Sequence, residues 1–239
     1  MEKYRHLSGN SLKIIALISM FIDHIAAVVN VHCPWFSNNL LPRHELYVNI
    51  YSLMRGIGRL SFPIFCFLLV QGFMYTRNRA KYLMRLMLFA VISEIPFDLA
   101  LKGQVIEFTH QNVFFTLMLG FTVLMIIEKF EQRPYVGFFA AAAGCLISYL
   151  LNFDYDWRGI LLIVVLYYLR FYRKYQLICG ALTICWGNMQ EYAVPAFLLL
   201  YFYSGKPGKR LKYFYYIAYP AHLLLYYFAA RYLLVSNSF

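Results

Sequence analysis

Apolar residues concentrate in nine segments, at 13–32, 56–75, 82–101, 112–128, 135–152, 157–171, 175–187, 190–203 and 213–234, separated by polar connections. A helix that crosses a bilayer needs about 20 mostly apolar residues. The pattern therefore predicts an all-α, polytopic transmembrane bundle of about nine membrane segments, folded as one integral-membrane domain over 1–239. The seventh and eighth segments are short and read as a helical hairpin or half-helices. No sustained heptad, low-complexity tract or internal repeat interrupts this reading. The longest polar connection, Cys33 to Arg55, reads as a surface loop, with a lid or substrate contact as the alternative.

Composition supports the membrane class: 62% of the 239 residues are hydrophobic, 20% are aromatic and only 14% are charged. The formal charge of +11 would point a soluble protein toward nucleic acid. Topology accounts for it better. With the N-terminus in the cytoplasm, sixteen of the twenty-two Lys and Arg fall in inner segments, as the positive-inside rule requires. The basic start and first apolar run resemble a signal peptide, but Asp23 and His24 interrupt that run and more spans follow, so it reads as a retained helix. Five cysteines without CxxC spacing read as small core residues, with neither a disulfide framework nor a metal cluster.

Ionisable groups at membrane depth carry the candidate chemistry, because each costs about 2.5 to 3.5 kcal/mol at a helix centre and so faces protein or water. Four places qualify: Asp23-His24; Arg55 and Arg59 in RGIGRLSFP; Glu94 and Asp98 flanking Pro96; and His222 after Pro220. At about 1.5 Å of rise per residue, His24 lies roughly 16 Å above Lys13, Glu94 about 18 Å above Tyr82 and His222 about 14 Å above Tyr213. All three approach the midplane. Adjacent helix residues point about 100° apart, so Asp23 does not orient His24. The expected orienting carboxylate is Glu94 or Asp98, while Asp23 pairs with Arg55 or Arg59. Lys13 and His24 are nearly in line on their helix, since eleven steps of 100° overshoot three turns by only about 20°. An anionic cofactor at the basic surface would reach upward along that stripe.

The segments LKIIALISMFIDHIAAVV, RGIGRLSFPIFCFLLVQGF, RLMLFAVISEIPFDLAL, QNVFFTLMLG, YDWRGILLIV and KYFYYIAYPAHLLLYY together resemble the TraX family, in the same order through nearly the whole chain. The resemblance implies a membrane acetyltransferase distantly related to other multi-span acyltransferases. It would move an acetyl group from cytoplasmic acetyl-CoA to an amine or hydroxyl of a pilin, glycan or lipid, in the bacterial cytoplasmic membrane. His24 becomes the catalytic position, as general base or acetyl relay, with Glu94 or Asp98 orienting it. Asp23, Arg55, Arg59, Gln111, Asn112 and His222 become substrate-site candidates. Lys13, Arg77, Arg79, Lys81, Arg85, Lys206, Lys209, Arg210 and Lys212 become the phosphate-binding set for CoA. No metal and no nucleic acid are implied; membrane lipids surround the bundle, and a homo-oligomer stays open. The rival readings are a proton-coupled transporter using the intramembrane histidines, and a non-enzymatic pilus assembly factor.

Overall fold

In the computed structural model, residues 6–33, 44–185, 190–208 and 213–236 are described. Among them the fold is all-helical. In chain order the helices are α1 Gly9–His32, α2 His44–Gly58, α3 Ser61–Tyr75, α4 Arg79–Leu101, α5 Val113–Lys129, α6 Pro134–Leu150, α7 Asp156–Tyr168, α8 Arg173–Ile184, α9 Pro195–Tyr201 and α10 Phe214–Ser236, with a short 3-10 turn at Gln190–Ala193. Each apolar segment read from the sequence overlaps one or two of these elements, and the end of the 175–187 segment lies outside the described residues.

The 33–55 connection differs from its expected form. From His44 onward it is helical, and α2 packs along α1. Polar positions such as Glu45, Asn49 and Ser52 break the apolar run, so a period search finds no span, yet one face of α2 is apolar enough to dock. Among the described residues two stretches, Gly9–His32 and Glu45–Tyr75, are long and apolar enough to cross a membrane. Helices α7, α8 and α9, with 13, 12 and 7 residues, are shorter than the roughly 20 that a span requires.

The centre of the bundle is α3. Phe62, Ile64, Cys66, Phe67, Leu69, Val70 and Phe73 are buried on all of its sides, the signature of a helix enclosed by others. It contacts α1, α5, α7 and α9, while α10 closes against α1 and α4. Helix α6 is peripheral: its buried positions are Gly137, Gly144 and Ser148, and Phe138, Phe139, Leu146 and Leu150 are exposed. A small-residue face lets α6 approach its neighbours closely, as lipid-immersed helices do. A Cβ at Gly144 would stand 2.6 Å from Val123 Cγ2.

Alternating helix directions give the bundle two unlike ends. At one end Leu7 pairs with Tyr203, the Gly9 amide donates to the Lys206 carbonyl at 2.8 Å, and Arg79 ion-pairs with Glu128. At the other, His32 Nε2 lies 3.0 Å from the Leu99 and Ala100 carbonyls, and the Gln111 amide donates to Asn152 O at 3.0 Å. Eleven of the sixteen described Lys and Arg belong to the first, basic end.

The junction between α2 and α3 places the arginines. Arg59 and Leu60 amides bond back to Gly56 and Ile57, tightening the chain into a turn that lies on α1. Ser19 Oγ donates to the Ile57 carbonyl at 2.6 Å, and Ser61 Oγ to that of Gly58 at 2.9 Å. Gly58 makes the approach possible, since a Cβ there would fall 2.2 Å from the Cβ of Asp23. Substitution Gly58→Ala should destabilise the fold by about 1–3 kcal/mol, the range for overpacking. A lowered thermal midpoint in detergent, with Ser52→Ala as the neutral comparison on the same helix, checks it.

Candidate active site

His24 and His222 meet. Helix α1 presents His24 and α10 presents His222, buried at 9% and 5% exposure, with His24 Nδ1 2.6 Å from His222 Nε2 and the rings stacked at 4.9 Å between centroids. His222 Nδ1 lies 2.7 Å from the Ala218 carbonyl one turn back. A carbonyl only accepts, so Nδ1 of His222 carries a proton and, with both rings uncharged, its Nε2 accepts from His24 Nδ1–H. The chain of partners leaves His24 Nε2 with a free lone pair. Phe21, Tyr219 and Tyr226 pack around His222 and hold its ring.

That lone pair belongs to a cavity of about 300 Å³ on the side away from the basic end. Asp23, Arg55, Arg59, His110, Asp154 and Tyr155 supply most of its polar wall. Arg55 Nη1 donates to Asp23 Oδ2 at 2.7 Å, and the same oxygen is 3.9 Å from His24 Nε2, too far for a hydrogen bond. Arg59 lies 6.0 Å from the centroid of the Tyr155 ring, which stacks on Phe62 at 3.6 Å. Its Nε is buried without a hydrogen-bond partner.

A second cavity of about 260 Å³ leads from the basic end. Gly9, Lys13 and Pro207 lie at its outer part, and Leu17, Met20, Phe65, Leu69, Leu117 and Tyr219 deeper in. One stripe of α1 thus passes through both spaces: Gly9, Lys13, Leu17 and Met20 in the inner cavity, then Met20, His24, Ala27 and Val31 in the outer one.

The expectation that Glu94 or Asp98 orients His24 is corrected. Glu94 Oε2 accepts from the Asn112 side chain in a short bond and from the Asn112 amide at 3.3 Å. Asp98, fully buried, accepts from the Glu107 amide at 2.8 Å and anchors the 102–112 connection. Asn112 caps α5 through the Phe114 amide at 3.0 Å and donates to Ala90 O at 2.8 Å, while Gln111 ties to Asn152, Asp154 and Phe108. None of these four lines the outer cavity. Glu94 has the expected depth but faces the start of α5, because azimuth depends on which helix packs alongside.

The basic set divides as well. Lys13 lines the inner cavity, 5.3 Å from the Tyr215 ring centroid, and Arg85 lies 5.4 Å from that of Tyr82, another lining residue. Arg77, Lys81 and Lys206 are exposed. Arg79 is not available as a free phosphate ligand: Nη1 and Nη2 hold Glu128 at 2.5 and 2.8 Å. Lys209, Arg210 and Lys212 lie outside the described residues.

Sequence reading passed over Tyr219, His110, Asp154 and Tyr155. Tyr219 packs edge-on to both histidines, at 5.9 and 5.7 Å, and its signal was the Tyr-Pro-x-His motif itself. The other three sit in connections that polarity alone assigned to the surface. Asn152, Tyr155 and Asp156 adopt φ of 51, 63 and 56°, a costly region for non-glycine residues, and this folded-back segment turns Tyr155 inward.

The TraX protein family model matches residues 8–229. The chain belongs to the TraX family. A "Probable fimbrial assembly protein FimC, serogroup H1" from Dichelobacter nodosus is 31% identical, covering 94% of this chain and 96% of the relative. No solved structure matches. The family match spans both histidines, the arginine turn and every residue that lines the two cavities.

Two measurements test the geometry. In nitrogen-15 histidine spectra, His24 should show a protonated Nδ1 and an unprotonated Nε2, and His222→Phe should abolish that single-tautomer signature; a protonated Nε2 in the wild type would refute the hydrogen-bond direction. Separately, the hydrogen bond to Asp154, 3.5 Å away, raises the His110 imidazole above its ordinary value. This tie is fully present below the ordinary imidazole value and is lost as pH rises through the raised one. The stability gap between wild type and Asp154→Asn should therefore shrink between about pH 5 and about pH 8.

Proposed function

We propose that this TraX-family protein is a multi-span acyltransferase of the bacterial cytoplasmic membrane. Its basic end faces the cytoplasm, and the large apolar side chains exposed on α1, α4, α6 and α10 meet lipid. It moves an acetyl group from cytoplasmic acetyl-CoA to an amine or hydroxyl that enters the outer cavity. The observation that carries this reading is the position of His24: just beyond the end of one cavity, inside another, with one nitrogen tied off and one free.

An acyl-CoA donor fits the inner cavity chemically, with a cation at its outer part and a largely aromatic and aliphatic wall within. When bound, it supplies a thioester. His24 Nε2 takes the proton of the acceptor amine or hydroxyl as that nitrogen or oxygen bonds to the acyl carbon. The carbon–sulfur bond breaks, and the proton passes from His24 to the departing thiolate, which leaves as the CoA thiol. His222 accepts the hydrogen bond that fixes His24 in this tautomer, and its own Nδ1–H is held by a backbone carbonyl. Arg59, half-buried beside Tyr155, supplies positive charge to the acceptor side.

The printed name of the Dichelobacter relative associates that protein with fimbrial assembly, which supports a pilin-related acceptor here. The same name favours a second reading, an assembly factor without catalysis. Acetyl-CoA separates the two. It should raise the thermal midpoint of the detergent-solubilised protein, since saturation at 100 times Kd adds about 2.7 kcal/mol, whereas adenine alone should not. His24→Ala should lower acetyl-CoA turnover by about 10²–10⁴-fold, the contribution of general base catalysis. A folded variant with wild-type turnover would end the catalytic assignment, and absence of any stabilisation by acetyl-CoA would favour the assembly factor.

A further inference from the structure

Four side chains line both cavities: Met20 from α1, Phe65 from α3, Val113 at the start of α5 and Tyr219 from α10. They come from four different helices and converge one turn below His24, where α1 passes from Met20 to the histidine. Met20 and Tyr219 are buried, and Tyr219 is braced by Phe114 at 5.1 Å and by both imidazoles. These residues form the wall shared by the inner cavity and the one that holds His24.

We propose that Met20, Phe65, Val113 and Tyr219 form a size filter that restricts the transferred acyl group to short chains. The inference rests on the acyl-transfer reading and adds a substrate preference to it. Two properties of the wall support it. First, the wall is made of apolar and aromatic side chains from four helices, two buried and two packed against the core, so extra methylenes meet packed side chains. Second, the space beyond the wall is unlike the space before it: Asp23, Arg55, Arg59 and Asp154 face the outer cavity, whereas the inner one is mainly aromatic and aliphatic. A long alkyl tail pushed past the wall would displace water from charged groups and satisfy none of them. A tail left behind would compete with the donor's own arm for the inner cavity. Acetyl avoids both penalties.

The test uses the purified full chain in detergent and thiol release from acetyl-, propionyl-, butyryl- and hexanoyl-CoA. The wild type should lose at least about tenfold in kcat/KM from acetyl to butyryl, as a methylene mismatch in a fitted site gives about 10–200-fold. Phe65→Ala should raise the butyryl-to-acetyl ratio about tenfold or more. Val113→Ala, a smaller truncation on another helix, should move it in the same direction and carries the test where Phe65→Ala does not fold. A wild type that uses butyryl-CoA as well as acetyl-CoA, or an unchanged ratio in folded variants that still release thiol, overturns the filter. Failure of the wild type to turn over any acyl-CoA overturns instead the transfer reading on which the filter stands.

Discussion

Two buried imidazoles and a backbone carbonyl form the constraint around which the rest of this protein is arranged. A buried polar atom without a partner costs free energy, and the cost rises where water is excluded. His24 and His222 answer each other at 2.6 Å, and the series ends on Ala218 at 2.7 Å. That arrangement binds α1 to α10 and fixes their relative rotation. A carboxylate in the place of His222 would bring a full charge into the bundle and require further partners. An imidazole closed by a carbonyl satisfies the same nitrogen while remaining uncharged.

The two histidines also explain the division of polar character around them. On the basic side, α1, α3, α5 and α10 enclose a space whose walls are mostly aromatic and aliphatic, with Lys13 near its outer part. On the far side, the α2–α3 turn and the 152–156 segment bring arginines and aspartates toward the free nitrogen. Gly58 allows the turn to reach Asp23, which then holds Arg55 and keeps one cation close to the imidazole without contacting it. A largely apolar cavity and a charged one are thereby separated on opposite sides of one residue.

The connections carry more of the architecture than their polarity suggests. Asn112 caps α5 and receives Glu94 from α4; Asp98 holds the chain at Glu107; Gln111 and Asn152 join two separate connections. These acids and amides do not line the outer cavity and spend their hydrogen bonds on backbone and, for Glu94 and Asn112, on each other. Their presence in otherwise apolar segments follows from structural need, because a buried amide or carbonyl freed by a helix end or by Pro96 must find a partner.

Most helix positions along the chain, α2 excepted, the common height of His24 and His222, and the stripe from Lys13 to His24 were legible in the sequence, because each depends on local quantities: apolar run length, rise per residue and angle per residue. The family itself was legible in the order of motifs from the first helix to the last. The partner of His24 was not. Glu94 and His222 have similar calculated heights, and only the packing of α10 against α1, with Glu94 drawn to Asn112, decides between them. Nor could polarity reveal that Asp154 and Tyr155 turn inward, since that depends on left-handed backbone in a connection. Sequence by itself determined what lies at which height in the bundle; tertiary structure decided what faces what, because azimuth is set by contacts between helices far apart in the chain.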